Sequence, residues 1–421
     1  MTVLRIMVPF LLLLTGTAPA FGEDPASGGE PALSGGCGAG EPDAVLWDGS
    51  GDPPRLRALL TARGGTFACL EMIHDQYHQA GEELPEGVPG WLSGDGPLHL
   101  ISTWSTRYLP FQLVLLGGEE AATGPKVVRT LRDPGPVDGA VPGGAATWKK
   151  GAPVEADLRT VYAADPVYTR VSRPGDAEAV YVWPDPARDA SEIFVERRLQ
   201  PLDDYRIRLT VTVYNFGAAA VALQPALEVH GWEPPGRSKG GIFSPPPDVL
   251  EALCLAGADL NRAPAADLAE DGVMNPTGEA SWIGVGGRYF LLAAIARQVP
   301  RPGCQLYGEP NGVLTARLSR ERMELAGVPP EVSCVPAWFA GPGRILCDDL
   351  AEGLGLSTGD LASPAAVERA LKAHADLPGV ELERVRHFLK GDGRETWVFE
   401  LYAGPKDITF LKKPDAGIED S

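Results

Sequence analysis

The chain has 421 residues, 44% hydrophobic and 22% charged, long and apolar enough to bury a core and too apolar for a disordered polymer. Its 51 Gly and 40 Pro follow no fixed period, so a collagen is excluded and many turns are expected. With 37 Lys+Arg against 56 Asp+Glu the formal charge is −19, which repels phosphate backbones and argues against a nucleic-acid partner.

In chain order, Arg5, the apolar run Ile6 to Leu14 and the small-residue site Ala18-Pro19-Ala20 predict a signal peptide over 1–20 that is cleaved on export to the periplasm. The apolar stretch is shorter than the roughly 20 residues that span a bilayer. Retention of residues 1–21 as an inner-membrane anchor is the alternative. Residues 21–42 are small and polar and read as a flexible linker. A single β domain is expected over 43–405, followed by a polar tail over 406–421.

Within that domain period two dominates. Phe67 to Ile73 reads as a strand. The strict alternation Tyr205-Arg-Ile207-Arg-Leu209-Thr-Val211-Thr-Val213 marks a strand with one wet face. Asn215-Phe216-Gly217 is a turn signal, so Val221 to Val229 is expected to return as the partner strand of a hairpin. Asp248 to Leu253, after three prolines, is expected to start a short helix. Ser363-Pro364 with Val367, Ala370, Leu371 and His374 at helical spacing predicts a capped helix. A last hairpin is expected from Val380 to Val385 and Trp397 to Leu401, around Lys390-Gly391-Asp392-Gly393. Strands do not alternate with helices, so the fold class is mainly β: a large antiparallel sandwich with a few short helices.

The candidate chemistry is sparse. His74 and His78 would share a helical face, but a strand is the better reading of the residues before them, and four strand steps put them about 13 Å apart, too far for one tetrahedral metal. Asp48 and Asp52 lack the alternating ligands of a calcium loop. Gly284-Val-Gly286-Gly287 precedes a strand, not the helix a dinucleotide fingerprint needs. His230-Gly-Trp232 at a strand end could seat a sugar ring, with His230 as acid or base, or Trp232 could be structural. No nucleophile elbow, Walker loop or zinc motif occurs. The reading is therefore no enzyme, no cofactor and no metal. Cys37, Cys69, Cys254, Cys304, Cys334 and Cys347 contain no C-x-x-C pair, and disulfides are the expectation in an exported chain. Their pairing is open.

Several segments in order resemble the large periplasmic domain of the bacterial YidC membrane-protein insertase. They are the turn Arg63-Gly64-Gly65, Pro110-Phe111-Gln112-Leu113, and Phe194 to Leu199 with Tyr205 and the Asn215-Phe216-Gly217 turn. To these are added Trp282 with Tyr289-Phe290, and the ending Gly404-Pro405-Lys406-Asp407. In that family the Gly-Pro-Lys segment leads into the membrane-embedded insertion helices, whereas this chain stops nine residues after Lys412. The resemblance implies a β-supersandwich related in shape to galactose mutarotases and sugar-binding domains. It implies partner contact rather than catalysis, with these motif residues structural.

The expectation is a stand-alone periplasmic binding or chaperone-like module, accessory to membrane-protein insertion, with insertase or translocon components as partners. The alternative is a carbohydrate-binding or aldose-mutarotase-like protein acting on a sugar in the sandwich cleft. His99, His230 and His387 are isolated in sequence. A placement of His230 or His387 within about 7 Å of a Glu in a concave, aromatic-lined pocket would favour the enzyme form of that alternative, and their dispersal on the outer surface would sink it.

Overall fold

Alternating apolar and polar residues place one side of a strand in a core and leave the other for a second layer or for water. The computed structural model describes residues 45–48, 56–72, 78–79, 96–101, 108–116, 167–173, 176–188, 191–202, 205–233, 249–271, 273–308, 312–341, 344–354, 364–373 and 379–406. All belong to one unit, Leu33–Ser421. The expected signal peptide, linker, Cys37 and His74 lie outside the described residues.

The strands are β1 (Val45–Asp48), β2 (Leu56–Thr61), β3 (Thr66–Met72), β4 (His78–Gln79), β5 (Gly96–His99), β6 (Gln112–Leu116), β7 (Thr169–Arg170) and β8 (Ala179–Trp183). There follow β9 (Ile193–Pro201), β10 (Arg206–Asn215), β11 (Val221–Trp232), β12 (Glu251–Ala256), β13 (Asp259–Pro264), helix α1 (Ala265–Asp271), β14 (Val273–Met274), β15 (Ala280–Gly286) and β16 (Phe290–Gln298). The chain continues with β17 (Gly303–Gly308), β18 (Val313–Ser319), β19 (Met323–Leu325), β20 (Cys334–Val335) and β21 (Ile345–Leu346). It closes with α2 (Cys347–Gly353), α3 (Pro364–Ala373), α4 (Gly379–Lys390) and β22 (Arg394–Pro405).

A nine-stranded sheet in the order β13-β12-β15-β16-β22-β10-β9-β8-β7 faces a six-stranded sheet, β14-β17-β18-β11-β19, with β6 also paired to β11. Every pairing within these two sheets is antiparallel. Strands β1 to β5 form a third, five-stranded sheet. Ile207, Leu209, Val211 and Val213 of β10, with Trp397, Phe399 and Leu401 of β22, pack in one buried cluster with Leu227 and Val229 of β11 and Leu314, Ala316 and Leu318 of β18. Each large aliphatic or aromatic side chain buried there contributes roughly 1.5–3 kcal/mol. Cys254 of β12 and Cys304 of β17 are disulfide-bonded and bolt the two sheets together. The antiparallel sandwich with few helices is thus the fold. Among the described residues no helix is long and apolar enough to cross a membrane.

Three local expectations are corrected. Strands β10 and β11 do not form a hairpin. Strand β10 pairs with β9 and β22, while β11 pairs with β18, β19 and β6. The Asn215 turn therefore carries the chain from one layer to the other. Asn215 Nδ2 donates to the carbonyls of Ala219 at 2.9 Å and Leu325 at 3.0 Å, and its Oδ1 accepts from the Gly217 amide at 3.1 Å. Second, Glu251–Ala256 is strand, not helix: it runs between β13 and β15 with Ala252 to Ala256 all buried. A strand covered on both faces reads as a plain apolar run, which periodicity cannot tell from a helix. Third, Val380 to Val385 lies in helix α4, where Val385, Phe388 and Leu389 bury one face at spacing i, i+3, i+4. The expected helix over Ser363 to His374 is present as α3.

Candidate functional site

On β11, Leu227 and Val229 point into the sandwich, so Glu228, His230 and Trp232 occupy the opposite face of the six-stranded sheet. Register then determines their neighbours. Across β18, Glu228 lies opposite Arg317, His230 opposite Thr315 and Trp232 opposite Val313. On the next strand Tyr307 lies opposite Thr315.

Glu228 Oε1 accepts from Arg317 Nε at 2.9 Å, from Arg317 Nη2, and from the Tyr307 hydroxyl at 2.7 Å. The Arg317 Nη2 group also donates to the Tyr307 oxygen at 3.0 Å. His230 Nδ1 shares a hydrogen bond with Thr315 Oγ1 at 2.9 Å, and its Nε2 lies 3.2 Å from Glu228 Oε2. The Tyr108 ring meets His230 edge-on, with centroids 5.6 Å apart, and packs with Trp232 and Val313 in a small apolar cluster. Glu228, His230, Thr315, Tyr307 and Arg317 are each 2% exposed or less. A carboxylate stripped of water is expensive unless charge and hydrogen bonds replace the solvent, and here a guanidinium and a phenol do so at Oε1. The same groups are those that recognise a polyol: paired acceptors, a forked donor, hydroxyls and aromatic edges.

His230 and Trp232 were the candidates legible in sequence. Thr315, Arg317 and Tyr307 carry no local mark of the site, because they reach it from other strands. The signal for Glu228 was present, since polar residues recur at i and i+2 in an otherwise apolar strand. His387 is elsewhere, on α4, with Nδ1 at 3.0 Å from Asp392 Oδ2. The side chains of His78 and His99 lie outside the described residues.

The motif residues behind the family resemblance occupy structural nodes. Gly64 and Gly65 hold φ of 64° and 54° in the turn after Arg63, which Arg197 supports by donating Nη1 to the Gly64 carbonyl at 2.5 Å. At Gly65 a Cβ would sit 3.1 Å from the Tyr168 ring, so both space and dihedral demand glycine. Tyr205, Tyr289, Phe290, Gly404, Pro405 and Lys406 meet at one end of the nine-stranded sheet. There Phe290 pairs with Pro405, and the Tyr402 hydroxyl donates to the Pro405 carbonyl at 2.6 Å. The Lys406 amide donates to the Tyr289 carbonyl at 2.7 Å, and its Nζ lies 3.2 Å from Glu251 Oε2. Trp282 is buried with Leu253, Leu255 and Leu291 on the outer side of this sheet. Among the cysteines, Cys254–Cys304 and Cys334–Cys347 are bridged and Cys69 is disulfide-bonded.

No protein-family model matches the chain, and no curated protein matches it. Among solved structures, a galactose mutarotase-like protein from Lactobacillus casei ATCC 334 aligns at 10% identity with a TM-score of 0.38, over 86% of this chain and 99% of that one. A galactose mutarotase related enzyme from Lactobacillus acidophilus aligns at 9% identity and TM-score 0.36, over 85% and 97%. The galactosidase domain of an alpha-galactosidase-sucrose kinase aligns at 10% identity and TM-score 0.30, over 68% and 40%.

Proposed function

We propose that this chain is a non-catalytic binding module whose ligand is a carbohydrate, held on the non-core face of the six-stranded sheet. One observation carries the reading: Glu228, His230, Arg317, Tyr307 and Thr315 converge there beside Tyr108 and Trp232. That combination supplies donors and acceptors for sugar hydroxyls and apolar edges for a ring. Binding is favoured over turnover because a general acid and base must straddle a substrate, whereas His230 Nε2 and Glu228 Oε2 stand 3.2 Å apart, in contact with each other.

Calorimetric titration of the full chain with a panel of mono- and oligosaccharides tests this, with Thr315→Val as the variant that keeps the buried charges balanced. The expected result is saturable binding, weakened about tenfold by loss of one hydrogen bond in the variant. Failure of every sugar to bind the wild-type chain rejects the reading.

A second reading is a periplasmic partner-binding module accessory to membrane-protein insertion. It is favoured by the convergence of Tyr205, Tyr289, Phe290 and the Gly404-Pro405-Lys406 ending, all residues of the insertase-like motifs, at one sheet end. Crosslinking from the envelope fraction separates the two: enrichment of insertase or translocon subunits without sugar binding supports the second and sinks the first.

A further inference from the structure

The disulfides Cys254–Cys304 and Cys334–Cys347 differ in access. Cys254–Cys304 lies between the sheets, with its residues 0% and 4% exposed. In Cys334–Cys347, Cys334 is 8% exposed while Cys347 is only partly buried, so this bridge is reached from the Cys347 side, beside a small cleft of about 20 Å³ that His387, Asp392 and Arg394 also line. Thiol–disulfide exchange requires a thiolate to reach a sulfur, so access decides which bond a reductant breaks.

Between these cysteines the chain carries a single short helical turn, Ala337–Phe339. Its two aromatic side chains lie against the outer side of the nine-stranded sheet. The Phe339 ring stacks on Phe216 at 4.5 Å and 8° and meets Phe194 at 5.1 Å, and Trp338 meets Tyr214 at 5.5 Å. Trp338 Nε1 also donates to the Glu196 carboxylate, which is 2% exposed beneath it. The ends of this segment are joined by two parallel rungs, Cys334 to Ile345 and Val335 to Leu346, and by the disulfide. Within it the Phe339 amide donates to the Pro336 carbonyl at 2.9 Å, the Ala340 amide to the Ala337 carbonyl at 3.2 Å and the Arg344 amide to the Gly341 carbonyl at 3.1 Å, and Arg344 Nη1 donates to the Phe339 carbonyl at 2.9 Å.

We infer that Cys334–Cys347 is a redox latch on an aromatic strap, residues 336–341, and that its reduction by a dithiol lifts the strap from Phe194, Tyr214, Phe216 and Glu196. One thiolate of the reductant attacks a cysteine sulfur, the S–S bond breaks, and the other cysteine leaves as a thiolate that takes a proton from water. The second thiol of the reductant loses its proton and attacks the mixed disulfide. Two cysteine thiols and a cyclic disulfide result, with two electrons passed from reductant to protein.

The experiment treats the folded full chain with graded dithiothreitol, blocks thiols with N-ethylmaleimide, and maps them by mass spectrometry alongside amide hydrogen exchange. The expected result is labelling of Cys334 and Cys347 while Cys254–Cys304 stays closed, with exchange at residues 336–341 accelerated at least tenfold. Equal reduction of both bridges overturns the inference, as does reduction of Cys334–Cys347 without faster exchange of the strap. The Cys334→Ser/Cys347→Ser double variant should exchange fast in that segment without reductant. Slow exchange in that folded variant overturns it too, and if the variant does not fold the wild-type titration alone decides.

Discussion

Arg197 on β9 donates its Nη2 to the carbonyl of Phe111 at 2.6 Å, and Phe111 holds a left-handed backbone with φ of 60°. A bulky residue in that region is strained unless its surroundings over-determine it. Here Phe111 is fully buried, its ring meets Phe67 edge-on at 5.9 Å, and the carbonyl is fixed by a cation. One guanidinium thus holds two distant loops, since Nη1 serves the Gly64 carbonyl.

Arg197→Met keeps much of the volume and removes both donors. Two buried carbonyls lose their partners at about 1–3 kcal/mol each, so a loss of roughly 2–6 kcal/mol is expected. A urea midpoint unchanged from wild type would show that these carbonyls find other donors.

Tyr168 lies beside this arginine, 2% exposed. Burial pushes its hydroxyl up to about 12, opposed in part by the Arg197 charge. Because the folded value is above the unfolded one of about 10, its contribution to stability is intact below pH 10 and is lost as pH rises towards 12. Tyr214 is raised too, by burial first and by Glu196 second, and adds in the same sense. Arg197 is lowered by its burial and works in the opposite sense. Stability of wild type relative to Tyr168→Phe should therefore fall by about 2–3 kcal/mol between pH 10 and 12. Parallel curves for the two proteins over that range would contradict it.

Glu228 and Arg317 form a buried pair in which each compensates the other. Either Glu228→Gln or Arg317→Met alone is expected to cost about 3–5 kcal/mol by leaving an uncompensated charge or network, and the double variant less than their sum. A double-mutant cycle by chemical denaturation measures this; strict additivity would mean the pair is not coupled.

Bridges Cys254–Cys304 and Cys334–Cys347 should also differ in weight. Cys254–Cys304 closes a separation of 50 residues and Cys334–Cys347 one of 13. Loop-closure entropy then gives about 4 kcal/mol for the first and about 3 for the second. Paired Cys→Ala variants compared by denaturation should rank in that order, and the reverse ranking would show that contacts other than loop closure govern these sites.

Tyr205 to Val213 shows how much was legible: its alternation specifies a strand and names the buried face, because side-chain direction repeats every two residues. Pro364 to Ala373 was equally clear, with a proline that suits a first helical turn. Gly65 and Asn215 were legible as turn residues, and both mark backbone turns that need those residue types. Which sheet a strand joins was not legible. The turn at Asn215 is compatible with a tight return, yet β11 goes to the other layer because Leu227 and Val229 must face the β10 side chains across the core. Val380 to Val385 alternates too briefly to separate strand from helix, and α4 is decided by the face it buries. At the site, His230 and Trp232 could be named from one strand, but Arg317 and Tyr307 reach Glu228 from 89 and 79 residues away. Local pattern therefore determined the β class and the direction of each strand's side chains. Only packing of the sheets decided register across strands, and register is what brought an acid, a base and a cation onto one face.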